Sequence, residues 1–305
     1  MARESSVAIV THIAAPWFGA FRGQAAVAHG VSRKQLGTLQ QHGVIERLLR
    51  DTYRLTAAPR CHEQYLSAAL LWAGDRAVSD RRSASMLYGL EGIRAVKPEV
   101  VVPSSVRCRS TEVVVRCCDE RRSLMVRRIR GLPGTGIEAT LLALARDLEP
   151  VALEIACEDA RRRRLTSVSA LQAYLDRFGV SGRPGVTALR RILRELDPIH
   201  PSRSTLEVLT RRLLVDHGIT GFTREFPLAW SGRTHYFDFA FERQRTILET
   251  NGRRWHDDPA DYEDDQEKWS VPGRHGYRLV LATWDKVTRQ ERDFLAELVA
   301  TLEQD

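Results

Sequence analysis

Apolar and polar residues alternate most regularly in THYFDFAF (residues 234–241). A period of two predicts a strand, with Phe237, Phe239 and Phe241 on one face and Tyr236, Asp238 and Ala240 on the other. The turn residues Glu242, Arg243, Gln244 and Arg245 lead into a second alternating run, TILETN. There Ile247, Glu249 and Asn251 share one face, and Leu248 and Thr250 the other. A hairpin of these two strands brings Asp238 near Glu249. Upstream, Leu206, Leu209, Leu213 and Leu214 recur at helical spacing behind the potential cap Ser204, which places Glu207 in the first helical turn.

A second patterned block lies at the N-terminus. In GVSRKQLGTLQQHG, Gly30 allows a tight turn and Ser32 can cap a helix beginning at Arg33. Leu36 and Leu39 face inward, Lys34, Gln35, Gln40 and Gln41 face water, and an alternating ribbon follows through Tyr53 and Leu55. This is the order of a helix-turn-helix with a wing. Its second helix would enter the major groove, carrying Lys34 and Gln35, while Arg33, Arg47 and Arg50 would hold phosphates. A small helical protein-binding module is the competing reading. Between the two blocks, VKPEVVVPSS and STEVVVRCCD read as strands and Gly131-Leu132-Pro133-Gly134 as a turn. GIEATLLALARDL, PVALEIACEDARRR and VSALQAYLDRF read as amphipathic helices, and DPIHPSRS as a linker. The expected organisation is a multidomain α/β (α+β) chain: a winged helix over 1–58, a mixed α/β region over 59–198, and a C-terminal αβ domain over 199–305.

The length of 305 residues suits two or three domains, and 43% hydrophobic content suffices for buried cores. The N-terminal stretch fits neither a signal peptide nor a membrane span, since His12 and Pro16 interrupt it, so a cytoplasmic protein with no membrane partner is expected. Five cysteines form no CxxC pair and no zinc spacing. A net charge of +7 suits a polyanionic partner such as double-stranded DNA, although four lysines among 46 basic residues show that arginine usage accounts for much of it.

The chemistry concentrates after residue 199. A glutamate in an apolar strand is expensive to bury unless it is paired or bound to metal. Asp238 and Glu249 converging on a strand pair, with Glu207 on a helix nearby, form a hard oxygen site suited to Mg²⁺ or Mn²⁺. Packing is the expected role of Trp255 and Trp284.

Two resemblances attach to these residues. Residues 1–58 resemble the N-terminal winged-helix domain of AbiEi-family antitoxins, and the resemblance continues through SDRRSASMLYGLEG (79–92), which is similar to the segment that follows the winged helix in those proteins, and into 130–196; it implies DNA binding and a cognate toxin as a candidate partner. SRSTLEVL, YFDFAFERQRTILETNGRRWH and YRLVLATW resemble, in order and spacing, the very-short-patch repair endonuclease-like branch of the PD-(D/E)xK nucleases, over about 100 residues. That likeness implies a restriction-endonuclease-like fold that hydrolyses DNA phosphodiester bonds. Asp238 and Glu249 would be metal-binding acids, Thr250 a further metal ligand, and Glu207 and His256 assisting groups. The general nuclease pattern has lysine where Asn251 stands, and Lys268, on the helix expected over 259–269, can supply the missing cation. The alternative is an antitoxin or transcriptional regulator whose nuclease fold is catalytically inactive.

Overall fold

Strong local signals set the first elements. The computed structural model describes residues 5–251 and 259–304, the side chains of 259–265 excepted. Helix α1 (Ser6–Ala14) is followed by strand β1 (Ala20–Arg22), helix α2 (Gly23–Ala28), helix α3 (Arg33–Gln41) and the hairpin β2 (Ile45–Leu49) and β3 (Thr52–Leu55). Ser32 caps α3 reciprocally: its side chain accepts from the Gln35 backbone N–H while its own N–H donates to Gln35 Oε1 at 2.8 Å. Val10, Phe21, Val31, Leu36, Leu39 and Ile45 close around the helix-turn-helix as one apolar cluster. The three strands form a small antiparallel sheet in the order β1-β3-β2. Ser32→Ala should lower stability by about 1 kcal/mol, read as a shift in the urea midpoint; an unchanged midpoint would show that the cap contributes nothing.

The same compact unit continues to Leu196. It adds α4 (His62–Ala73), β4 (Val78–Ser79), α5 (Arg81–Tyr88), β5 (Glu99–Val102), β6 (Val114–Cys117), β7 (Arg127–Ile129) and β8 (Leu132–Gly134). These strands form a mixed sheet ordered β6-β5-β4-β8-β7. The turn expected over 131–134 lies earlier, because Arg130 (φ 49°) and Gly131 (φ 83°) adopt the two left-handed conformations that a tight two-residue hairpin demands. Leu132–Gly134 is therefore a strand, antiparallel to β7 and parallel to β4. Helices α6 (Ile137–Leu144), α7 (Pro150–Arg162), α8 (Val168–Phe178) and α9 (Val186–Glu195) pack a cluster in which Leu141, Leu153, Leu171 and Leu189 are fully buried.

The second unit spans Asp197–Asp305. Helix α10 (Thr205–Asp216) precedes β9 (Thr223–Trp230), β10 (Arg233–Phe241) and β11 (Thr246–Asn251). Then come α11 (Pro259–Arg274), β12 (Arg278–Thr283), α12 (Trp284–Thr288) and α13 (Glu291–Leu302). The sheet order is β12-β11-β10-β9, with β11 and β12 parallel and the other pairs antiparallel. The chain is thus α/β and multidomain.

Two expectations about packing need correction. Phe237, Phe239 and Phe241 do not share a face. Phe239 and Phe241 pack with Leu206, Leu213 and Leu214 of α10, whereas Phe237 packs with Ala240, Ile247 and Val271. Alternation breaks opposite Glu225, whose φ of 51° kinks β9 between the bridge pairs Phe237/Phe226 and Phe239/Arg224. Trp284 opens α12 immediately after β12 ends and is 39% exposed, so it is not a core residue. Among the described residues no helix is long and apolar enough to cross a membrane.

Candidate metal centre

The kink in β9 decides the geometry of the site. In a regular strand, neighbours point to opposite faces. Here Arg224 and Glu225 both act on the α10 side: Arg224 donates to Glu207 Oε1 at 2.8 Å, and Glu225 offers an oxygen to a group with Glu207 and Asp238 whose candidate ligand atoms all lie within 4.8 Å of one another. Asp238 and Phe239 show the matching departure on β10, since both also act on the α10 side. One helix and two strands thereby converge three carboxylates.

Each acid is held differently. Glu207 sits in the first turn of α10, whose cap is Ser204; one of its oxygens accepts from Arg224 and the other from the Arg203 backbone N–H at 2.5 Å. Burial pushes its carboxyl above the ordinary range and the Asp238 charge adds to this, while Arg224 opposes it. Asp238 Oδ2 accepts from the Thr250 N–H at 2.8 Å and from the Thr250 hydroxyl. Glu225 pairs with Arg203 through Oε2, and its Oε1 is buried with no hydrogen-bond partner among the described residues. An orphaned carboxylate oxygen inside an acidic group is what a cation ligand looks like before it binds, so these residues fit a divalent ion.

Glu249 belongs to a different arrangement from the one expected. It lies beside Asp238, as the hairpin requires, and its Oε2 accepts the Asp238 backbone N–H at 3.0 Å. Its Oε1, however, is ion-paired with Lys268 Nζ, which also stands 5.2 Å from the centre of the Phe237 ring. Burial first, then the neighbouring Asp238, drive its carboxyl up to about 7, against the pull of Lys268. The third member of the carboxylate group is therefore Glu225, with Glu249 held by a cation beside it. Lys268 thus places positive charge next to the acids through this ion pair. Thr250 acts as a donor that fixes Asp238. His256 and Trp255 lie outside the described residues.

Glu225 was not among the candidates from sequence. Nothing in TREFPLAW marks it, because the left-handed backbone that turns it toward Glu207 has no signature when the residue is not glycine, asparagine or aspartate.

In the winged helix, Lys34 occupies the exposed first turn of α3, but Gln35 turns its Oε1 back to the Ser32 N–H. That bond withdraws its acceptor from the base-reading role expected of it. Arg33 pairs with Asp51 at 2.6 Å, Arg47 donates through Nε to the Leu49 carbonyl at 3.3 Å, and Arg47 and Arg50 are exposed on the wing.

No protein-family profile matches the chain, and no curated protein matches it. Among solved structures, the chain is similar to the RV2827C protein from Mycobacterium tuberculosis, at 18% identity and a TM-score of 0.44, over 69% of this chain and 83% of that one.

Proposed function

We propose that the C-terminal unit is a Mg²⁺- or Mn²⁺-dependent deoxyribonuclease whose DNA substrate is held by the N-terminal winged helix. The observation that carries this reading is the convergence of Glu207, Glu225 and Asp238, with a Glu225 oxygen among them that is buried and has no partner among the described residues. Glu225 and Asp238, with Glu207, are the residues that would hold the cation. Such an ion supplies a Lewis acid for the phosphate and lowers the pKa of a bound water. The chain's own groups do the rest. Thr250 fixes the orientation of Asp238 through two donors to one oxygen. Glu249, with its carboxyl near 7, can exchange a proton close to neutrality, and Lys268 holds positive charge against it. The resemblance of this region to very-short-patch repair endonucleases supports DNA as the substrate.

A second reading has its own support. Both oxygens of Glu207 already accept hydrogen bonds, and Arg203 and Arg224 already balance charge in the acidic group. Such compensation suits a regulator or antitoxin that keeps the fold without cutting.

Purified protein incubated with supercoiled plasmid and Mg²⁺ or Mn²⁺ separates the two. The nuclease reading expects nicked or linear product, together with a melting temperature that rises with cation concentration as RT ln(1 + [L]/Kd). Neither cleavage nor a thermal shift with either cation would leave only the regulator.

A further inference from the structure

Away from the acidic centre, the N-terminal unit holds a strongly basic cleft. An open cavity of about 790 Å³ is lined by Arg22 of β1, Arg33 at the start of α3, Arg47 and Arg50 of the wing, and Arg107 and Arg109 from the segment between β5 and β6. The acidic residue lining it is Asp51, and its carboxylate is already committed, to Arg33 at 2.6 Å and to the Gln24 N–H at 3.0 Å. Five of the six arginines, Arg33, Arg47, Arg50, Arg107 and Arg109, are exposed. Among the described residues, the cleft therefore carries a large excess of positive charge.

The local backbone holds this arrangement in place. A Cβ at Gly23 would lie 2.5 Å from Asp51 Oδ1 and 2.8 Å from Arg33 Nη1, so the absent side chain is what lets the pair close under α3. Guanidinium groups match phosphate oxygens in a fork that ammonium groups lack, and no lysine lines this cleft. An enclosed pocket with buried polar contacts would favour a small phosphorylated ligand. This one is open and runs from the first residue of α3 to the wing, the two parts of a winged helix that meet a duplex.

We infer that Arg107 and Arg109, which lie outside the winged helix, grip the DNA backbone together with the wing and the start of α3, so that one duplex is held by the winged helix and the middle region jointly. This inference rests on the reading of the winged helix as a DNA-binding module. It assigns phosphate contacts to a segment that helix-turn-helix patterning leaves out.

The test uses the full chain and a labelled mixed-sequence duplex, with affinity measured by anisotropy across a range of salt for the parent, Arg107→Gln/Arg109→Gln and Arg50→Gln. Each lost phosphate contact lowers the log-log salt slope by about 0.9, so the double variant should lose about 1.8 in slope and bind about eightfold more weakly per arginine at 0.1 M salt. Its unfolding midpoint should stay at the parent value, because both side chains are exposed. If Arg50→Gln weakens binding and the double variant does not, the inference fails while the winged-helix reading stands. If the parent binds no duplex, or binds it with neither variant having an effect, both fail.

Discussion

Asp238→Asn should cut plasmid DNA at least about 10²-fold more slowly than the parent, the scale of losing one preorganised stabilising group from a catalytic centre. The reason is its position. Asp238 contributes to the carboxylate group with Glu207 and Glu225, is buried, and has one oxygen fixed by two Thr250 donors. Asparagine keeps the shape and removes the charge. Duplex affinity should change little, because the arginine-lined cleft lies in the other compact unit. Glu225→Gln should show a similar loss, which separates the observed acidic group from the Asp238/Glu249 pair that the sequence alone points to. Cleavage within a few-fold of the parent in both variants would sink the nuclease reading of this site.

The second large effect is on stability, in solutions containing a chelator. Glu249 has a folded carboxyl near 7 against an ordinary value of 4.5. Well below pH 4.5 both folded and unfolded chains carry the proton, and the group contributes no slope. Between 4.5 and about 7 the unfolded chain releases it first, so the folded state binds more protons and stability falls as pH rises; above about 7 the slope ends. At 1.36 kcal/mol per unit, this interval corresponds to a loss of about 3 kcal/mol. Glu249→Gln should remove the slope: it should match the parent near pH 4 in urea unfolding and exceed it at pH 8. Lys268→Met should extend the slope to higher pH, because the ion pair that lowers the Glu249 value is gone. A difference between Glu249→Gln and parent that does not vary with pH would rule out this assignment.

Much of the fold was legible because single residues carried strong signals. Ser32 and the spacing of Leu36 and Leu39 locate α3, and Ser204 with Leu206, Leu213 and Leu214 locates α10. Alternation in TILETN correctly divides Ile247 from Leu248. The hairpin that sets the Asp238 N–H against Glu249 follows from its turn. What escaped depends on backbone conformations that ordinary side chains do not advertise. Arg130 takes a left-handed φ to close the β7–β8 hairpin, and Glu225 takes one to kink β9. The first hid a strand behind an apparent Gly-Leu-Pro-Gly turn. The second split the phenylalanine stripe and brought an unforeseen acid to the site. Strand β9 itself was missed: Pro227 and the run of mixed polarity through Glu225 obscure its alternation.

The left-handed Glu225 also bears on any attempt to make this protein more robust. A common engineering strategy scans a structure for non-glycine residues at positive φ and replaces them with glycine or asparagine, releasing strain of about 1 kcal/mol or more at each. Applied to the C-terminal unit, that strategy would select position 225 early, along with Ser231 and Arg245. The first of these changes would delete one of the three carboxylates that converge at the candidate centre. On the proposed reading, thermal tolerance and cation affinity compete at a single codon, and a screen that rewards only survival at high temperature would erase the proposed cation site while appearing to succeed.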